Sequence, residues 1–361
     1  GWRLGSFTYG LSGLLWCRSS MAEPGQAQVH HIVLEPDATP HQLLASKAGS
    51  SVAVMRAAAY PHDDHAVDIW TEGFLHAPKR LTYTGAAEPS RSTSLPATFD
   101  TTEFDYALRS VTAPDGQTVP YHLIRRRDAA GPVPTLIYAY GGFNIALDPF
   151  YLDEIGPLWL AKGRALAIPL VRGGGECGAA WQIAGREHGK LDAAQDLVTV
   201  AEDLAVSGVT TPEACVACGE SNGGLLVANA ARFAPKHFAG LWIASAPLDL
   251  VDYDKRGQGA IWIDEFGDPR DATLMRALSP LYHVPAPGDP YPAAIFTVSQ
   301  NDDRVCAEDS ARMVDALRAA GHDAWLRQGS AGGHGHGPDS LALRAVGFAF
   351  LDALARNAGR G

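Results

Sequence analysis

The apolar positions of this chain change their period near residue 100. Between residues 26 and about 105 they fall in short alternating pieces, "VHHIVL", "SSVAVMRA", "AVDIWTEG" and "KRLTYTG", broken by clusters of Pro, Gly, Asp and Ser. Period-two alternation bounded by such breakers predicts half-buried strands joined by turns. In "FDYALRSVTAPDGQTVPYHLIRRR" two alternating runs flank Pro114-Asp115-Gly116, a turn signal that predicts a hairpin. From there on, continuous apolar runs alternate with helical ones: "TLIYAY", "PLWLAKG", "ALAIPLV", "DLVTVAEDLAVSG", "ACVACG", "GLLVANAARF", "LWIASAP", "AAIFTVS", "SARMVDALRAAG", "DAWLRQG" and "LRAVGFAFLDALAR". Continuous apolar strands separated by helices predict an α/β fold, a mostly parallel sheet flanked by helices. The expected organisation is an N-terminal segment 1–25 without a legible pattern, a small β-rich region over 26–103, and an α/β domain over 104–361.

Composition narrows the partners. The chain has 361 residues, 46% hydrophobic and 19% charged, enough for a substantial core. Its net charge of -11 and the absence of a long Lys/Arg run argue against nucleic acid or an acidic membrane surface as partner. The mildly apolar "LSGLLW" is read as neither a signal peptide nor an anchor. The five cysteines, Cys17, Cys177, Cys215, Cys218 and Cys306, are scattered, which fits a reducing compartment and a cytoplasmic location. Cys215 and Cys218 form a lone CxxC inside a strand-like run, read as two buried small side chains. His62 and His65 in "PHDDH" are read as surface residues.

The chemistry begins at "CGESNGGLL", residues 218–226. Gly219-Glu220-Ser221-Asn222-Gly223 is a GxSxG between a predicted strand and a predicted helix, the context of a nucleophile elbow. Such a turn strains Ser221, lifts its hydroxyl above the sheet edge, and puts the Asn222 amide at a helix N-terminus as an oxyanion donor. A serine nucleophile needs a base oriented by a carboxylate, in chain order Ser, acid, His. "AAIFTVSQNDDRV" supplies Asp302 and Asp303, between which spacing does not choose, and "GSAGGHGHG" supplies His334 and His336. Two histidines one residue apart without a third ligand make a weak metal signal. No metal and no organic cofactor are expected.

These residues resemble the prolyl oligopeptidases, serine peptidases of the α/β-hydrolase fold. The likeness runs from about residue 104 to the C-terminus through "YAYGGFN", "RGGGECGAAW", "GESNGGLLV", "WIDEFGDP", "NDDRV" and "GGHGHG" in order. It implies that Ser221 is the nucleophile, Asp302 the acid and His334 the base. Tyr140 then joins the Asn222 amide in the oxyanion hole, and Arg304 holds a substrate carbonyl. Trp262 and Phe266 become aromatics of the pocket for the residue before the cleaved bond, with Phe143, Asn222 and Val305 lining the substrate. Residues 69–85 resemble the last part of the family's β-propeller, which implies either that the chain is a fragment or that its lid is drastically reduced. Glu220 stands where many members have a small residue, Phe266 where tyrosine is commoner, and Cys177 where an aromatic is frequent.

The expected function is hydrolysis of short peptides after proline. The alternatives are an esterase or acylaminoacyl-peptidase-like hydrolase using the same triad, and a non-catalytic domain that only binds peptides. Oligomeric state is left unassigned.

Overall fold

The computed structural model describes residues 2–10, 13–20, 27–32, 41–45, 50–56, 66–84 and 89–358. His62 and His65 and the side chain of Cys17 lie outside the described residues. Two antiparallel four-stranded sheets come first. One holds β1 (Trp2–Gly10), β2 (Gly13–Ser20), β3 (Ala27–Ile32) and β4 (His41–Ala45); the other holds β5 (Ser50–Arg56), β6 (Ala66–Gly73), β7 (His76–Thr84) and β8 (Arg91–Ser94), each in sequential order. The segment read as patternless therefore contains two strands. The β1–β2 register shifts between Leu4 and Ser6, and an extra residue in a strand reverses the alternation on either side of it.

The third sheet has eight strands: β9 (Phe104–Thr112), β10 (Thr118–Arg126), β11 (Thr135–Tyr138), β12 (Ala165–Pro169), β13 (Cys215–Glu220), β14 (Gly240–Ala244), β15 (Ala293–Ser299) and β16 (Ala324–Gly329). Their spatial order is β16-β15-β14-β13-β11-β12-β10-β9. β9 and β10 form the hairpin about Pro114-Asp115-Gly116, β10 runs antiparallel to β12, and the remaining pairs are parallel. The helices are α1 (Ile155–Leu158), α2 (Ala179–Ala184), α3 (Gly189–Val206), α4 (Asn222–Phe233), α5 (Ile263–Phe266), α6 (Ala272–Leu278), α7 (Ala307–Ala319) and α8 (Ser340–Ala358).

Period-two geometry divides the buried strands between two cores. In β13, Cys215 and Ala217 join the core that holds Ala193 and Leu197 of α3, Leu226 of α4 and Met313 of α7. Val216 and Cys218 face the other, with Trp159 and with Phe348 and Leu351 of α8. The two thiols of the CxxC thus belong to opposite faces of the sheet, and burial pushes the Cys215 thiol up to about 12. The second small sheet docks on the second core: the Tyr151 N–H donates to Glu72 Oε2 at 2.8 Å, and the fully buried Phe74 ring lies 4.9 Å from that of His122. Among the described residues no helix is long and apolar enough to cross a membrane.

Candidate active site

Strands β12 and β13 lie on opposite sides of β11, so the chain reverses its winding direction there. The carboxyl ends of strands at such a switch point leave a crevice in which ligands bind. Tyr140 follows β11, Ser221 follows β13, Asp302 follows β15 and His334 follows β16, so all four leave the same sheet edge.

The elbow is built from close approach. Ser221 has φ 55° and ψ -123°, in the left-handed half of the map that a serine rarely enters, and its N–H is held by Ala244 O at 2.8 Å. A methyl on Gly219 would sit 2.1 Å from Gly223 O, and one on Gly223 would sit 2.3 Å from Ala139 O. Only glycine lets strand, turn and helix meet at those distances. Asn222 opens α4, where a backbone N–H has no acceptor within the helix.

Asp302 and Asp303 are divided by the structure. Asp302 Oδ1 accepts the N–H groups of Arg304 and Val305, both at 3.0 Å, and its two oxygens lie 3.0 and 2.9 Å from His334 Nδ1, which donates to them. Burial raises the Asp302 pKa, but His334 and the two backbone donors outweigh it, so the carboxyl sits below its ordinary value. Asp303 instead accepts the backbone N–H of His334 at 3.2 Å. His336 Nδ1 is occupied by His334 O at 2.6 Å.

Tyr140 heads a strained loop in which Gly141, Phe143 and Asn144 all have positive φ. Asn222 Nδ2 donates to Tyr140 O at 2.6 Å and to Gly141 O at 3.0 Å. Beneath the loop Lys190 pairs with Glu265, their side chains 4% and 5% exposed. Glu265 Oε1 accepts the Phe143 N–H at 2.9 Å, and Lys190 Nζ donates to Gly141 O at 3.4 Å. The Tyr140 hydroxyl is pushed up to about 12, by burial first and then by the Glu265 charge, and stays a donor at neutral pH.

A pocket of about 230 Å³ opens beside Ser221, with Tyr140, Phe143, Trp262, Phe266 and Arg304 among its walls. The rings of Phe143, Trp262 and Phe266 meet edge to face at 5.7 to 6.4 Å, the favoured geometry of aromatic clusters. Tyr253, which the sequence reading missed, stacks on Trp262 at 13° and donates its hydroxyl to Gly267 O at 2.6 Å. It sits in "LVDYDKRG", a stretch without periodicity to draw attention to it. Lys190 and Glu265 were also missed: each reads as an ordinary surface charge until the fold buries it. Val305 and Asn222, both expected to line the substrate, are placed differently. Val305 does not line this pocket, because its N–H turns in to cap Asp302 and its side chain, 4% exposed, borders a separate crevice behind Trp262. Asn222 touches the pocket, but its side-chain amide is committed to the Tyr140 loop.

An eight-stranded mixed sheet flanked by helices, with a serine elbow at the switch point, defines an α/β hydrolase. Comparison with known proteins carries this further. The model of the prolyl oligopeptidase family matches residues 153–355, and the chain belongs to that family. It is 36% identical over 273 residues to the uncharacterized peptidase y4nA of Sinorhizobium fredii, covering 74% of this chain and 37% of that protein. It is 32% identical over 235 residues to the prolyl endopeptidase of Elizabethkingia miricola, covering 63% of this chain and 33% of that one. A solved structure from work on two prolyl endopeptidases superposes with a TM-score of 0.86 at 27% identity, over 98% of this chain and 52% of its own. The chain spans about a third of the length of the curated relatives it matches.

Proposed function

We propose that this chain carries the catalytic centre of a serine peptidase that hydrolyses short peptides after proline. The observation that carries the reading is the shared space in which Ser221, Tyr140, Trp262 and Arg304 line one small aromatic pocket. At about 230 Å³ it is smaller than the roughly 300–1,000 Å³ of a drug-sized site and suits one side chain. A proline ring is rigid and apolar, and an indole face offers it a flat contact at little entropic cost. Arg304 at the rim supplies a fixed cation for a peptide carbonyl.

In this mechanism His334 takes the proton from Ser221 Oγ as the oxygen attacks the carbonyl carbon of the proline residue. Asp302 holds the imidazole in the tautomer with Nδ1 protonated and stabilises the imidazolium that forms. The oxyanion is met by the Tyr140 hydroxyl and the Asn222 N–H. Collapse breaks the C–N bond, His334 returns its proton to the leaving amine, and an acyl-enzyme remains. Water attacks that ester with His334 again as base, releasing the acid and restoring Ser221.

The test compares three substrates: a chromogenic peptide with Pro before the cleaved bond, the same peptide with Ala, and a simple acyl ester. Preference for Pro, lost in Ser221→Ala and reduced about tenfold in Trp262→Ala, is the expected result. Ester cleavage without peptide cleavage would assign an esterase. A folded protein with no turnover and no Ser221 adduct on organophosphonate treatment would mark a binding domain.

A further inference from the structure

A second chamber, of about 200 Å³, lies beneath the loop that carries His334. Its floor is apolar, from Leu136, Trp242 and Phe348, while the loop supplies a wall through Gly333, Gly335 and His336. Asp153 and the ion pair of Glu154 with Arg344 line it too, and three polar groups reach it from the sheet edge: the Glu220 carboxylate and the hydroxyls of Tyr138 and Ser245. Parallel register brings them together, since Tyr138 pairs with Cys218, and Glu220 with Ala244, the residue before Ser245. Ser245 is 5% exposed and has φ 43°. Among the described residues, none of these three side-chain groups has a hydrogen-bond or ion-pair partner. The proposed peptidase chemistry uses none of them.

A carboxylate without an ion-pair partner of its own, beside two hydroxyls with unused acceptor capacity and over an apolar floor, is a ready site for a cationic donor. We propose that the chamber binds a primary ammonium carrying one small apolar group, such as an arylalkylamine. Such an ion has three N–H donors, matched here by three acceptors, and its charge pairs with Glu220. The volume, below that of a drug-sized site, admits a single ring or a short chain. A quaternary ammonium, without N–H groups, gains only the charge. Occupancy also restrains the loop, because a methyl placed on Gly335 would lie only 2.1 Å from Glu220 Oε1, so loop and carboxylate are already in contact. Binding does not depend on the peptidase reading.

The test is calorimetric titration of the protein with 2-phenylethylammonium, with 2-phenylethanol, and with the N,N,N-trimethyl form of the amine. Saturable binding of the primary amine, about tenfold tighter than either analogue, is expected. Glu220→Gln should erase that preference, Tyr138→Phe should weaken it, and Trp262→Ala, which opens the other pocket, should leave it intact. The amine should slow amide hydrogen exchange over residues 333–336 in the wild type only. Absence of saturable binding, equal affinity for amine and alcohol, or a preference that survives Glu220→Gln and is lost in Trp262→Ala would overturn the proposal.

Discussion

Lys190 and Glu265 stand 75 residues apart in the chain and make a buried ion pair under the loop that presents Tyr140 and Phe143. Removing one partner of such a pair leaves a buried charge and costs about 3–5 kcal/mol. Lys190→Met, which keeps much of the side-chain volume, leaves the Glu265 carboxylate with the Phe143 N–H as its remaining partner and should fall in that range. It also withdraws the cation 5.9 and 5.6 Å from the centres of the Phe143 and Phe266 rings. Glu265→Gln should cost less, because burial already lowers the Lys190 pKa and the amine can shed its proton. The Gln carbonyl oxygen can still accept from Phe143. The double variant replaces both charges and should cost about 1–3 kcal/mol, the desolvation of one unmatched amide, well under the sum of the single changes. Urea unfolding of the four proteins measures the cycle. Turnover of the proline substrate, assayed where all four are folded, should fall at least about tenfold in Lys190→Met, and at most by the roughly 10²–10³ that one oxyanion donor contributes. Single variants within about 0.5 kcal/mol of wild type, or costs that simply add, would refute the idea that this pair braces the loop.

Three further outcomes are expected. Burial holds the His122 imidazole at about 4, below its ordinary 6.5, with Nδ1 bonded to the Tyr106 hydroxyl at 3.0 Å. Between those values the unfolded chain binds the extra proton. The contribution is therefore complete above about pH 6.5 and about 3 kcal/mol is lost as pH falls towards 4; urea midpoints at the two ends should differ less in His122→Gln. Tyr140→Phe should lower kcat about 10²-fold with little change in KM, read from steady-state rates, since in the proposed mechanism the hydroxyl is called on only as the oxyanion forms. Gly219→Ala sets a methyl against a backbone carbonyl that cannot swing aside; a cost of about 3 kcal/mol or more and loss of Ser221 labelling by an organophosphonate should follow.

Much of this molecule was legible before its fold. The runs at 135–138, 165–169 and 215–220 became strands because short, mostly apolar runs between breakers have few other ways to be buried. The β1–β2 pair was not legible, because its register shift hides the alternation. The short helices α5 and α6 escaped too, one being a single turn and the other beginning at an Asp271 cap whose side chain accepts from Thr273 and Leu274.

The elbow and the Ser, Asp, His order could be read from the chain itself, because they depend on neighbours: glycines flanking Ser221, a strand before it and a helix after. Which aspartate turns to His334 could not be read there. That depends on how the loop after β15 closes against the loop after β16, a contact across 32 residues of sequence. Tyr253 behind Trp262, the Lys190–Glu265 brace, the turning aside of Val305 and the chamber under Glu220 have the same origin. Local order is written in consecutive side chains and their period, whereas burial and partnership of a charge arise only when strand register brings distant segments to one sheet edge.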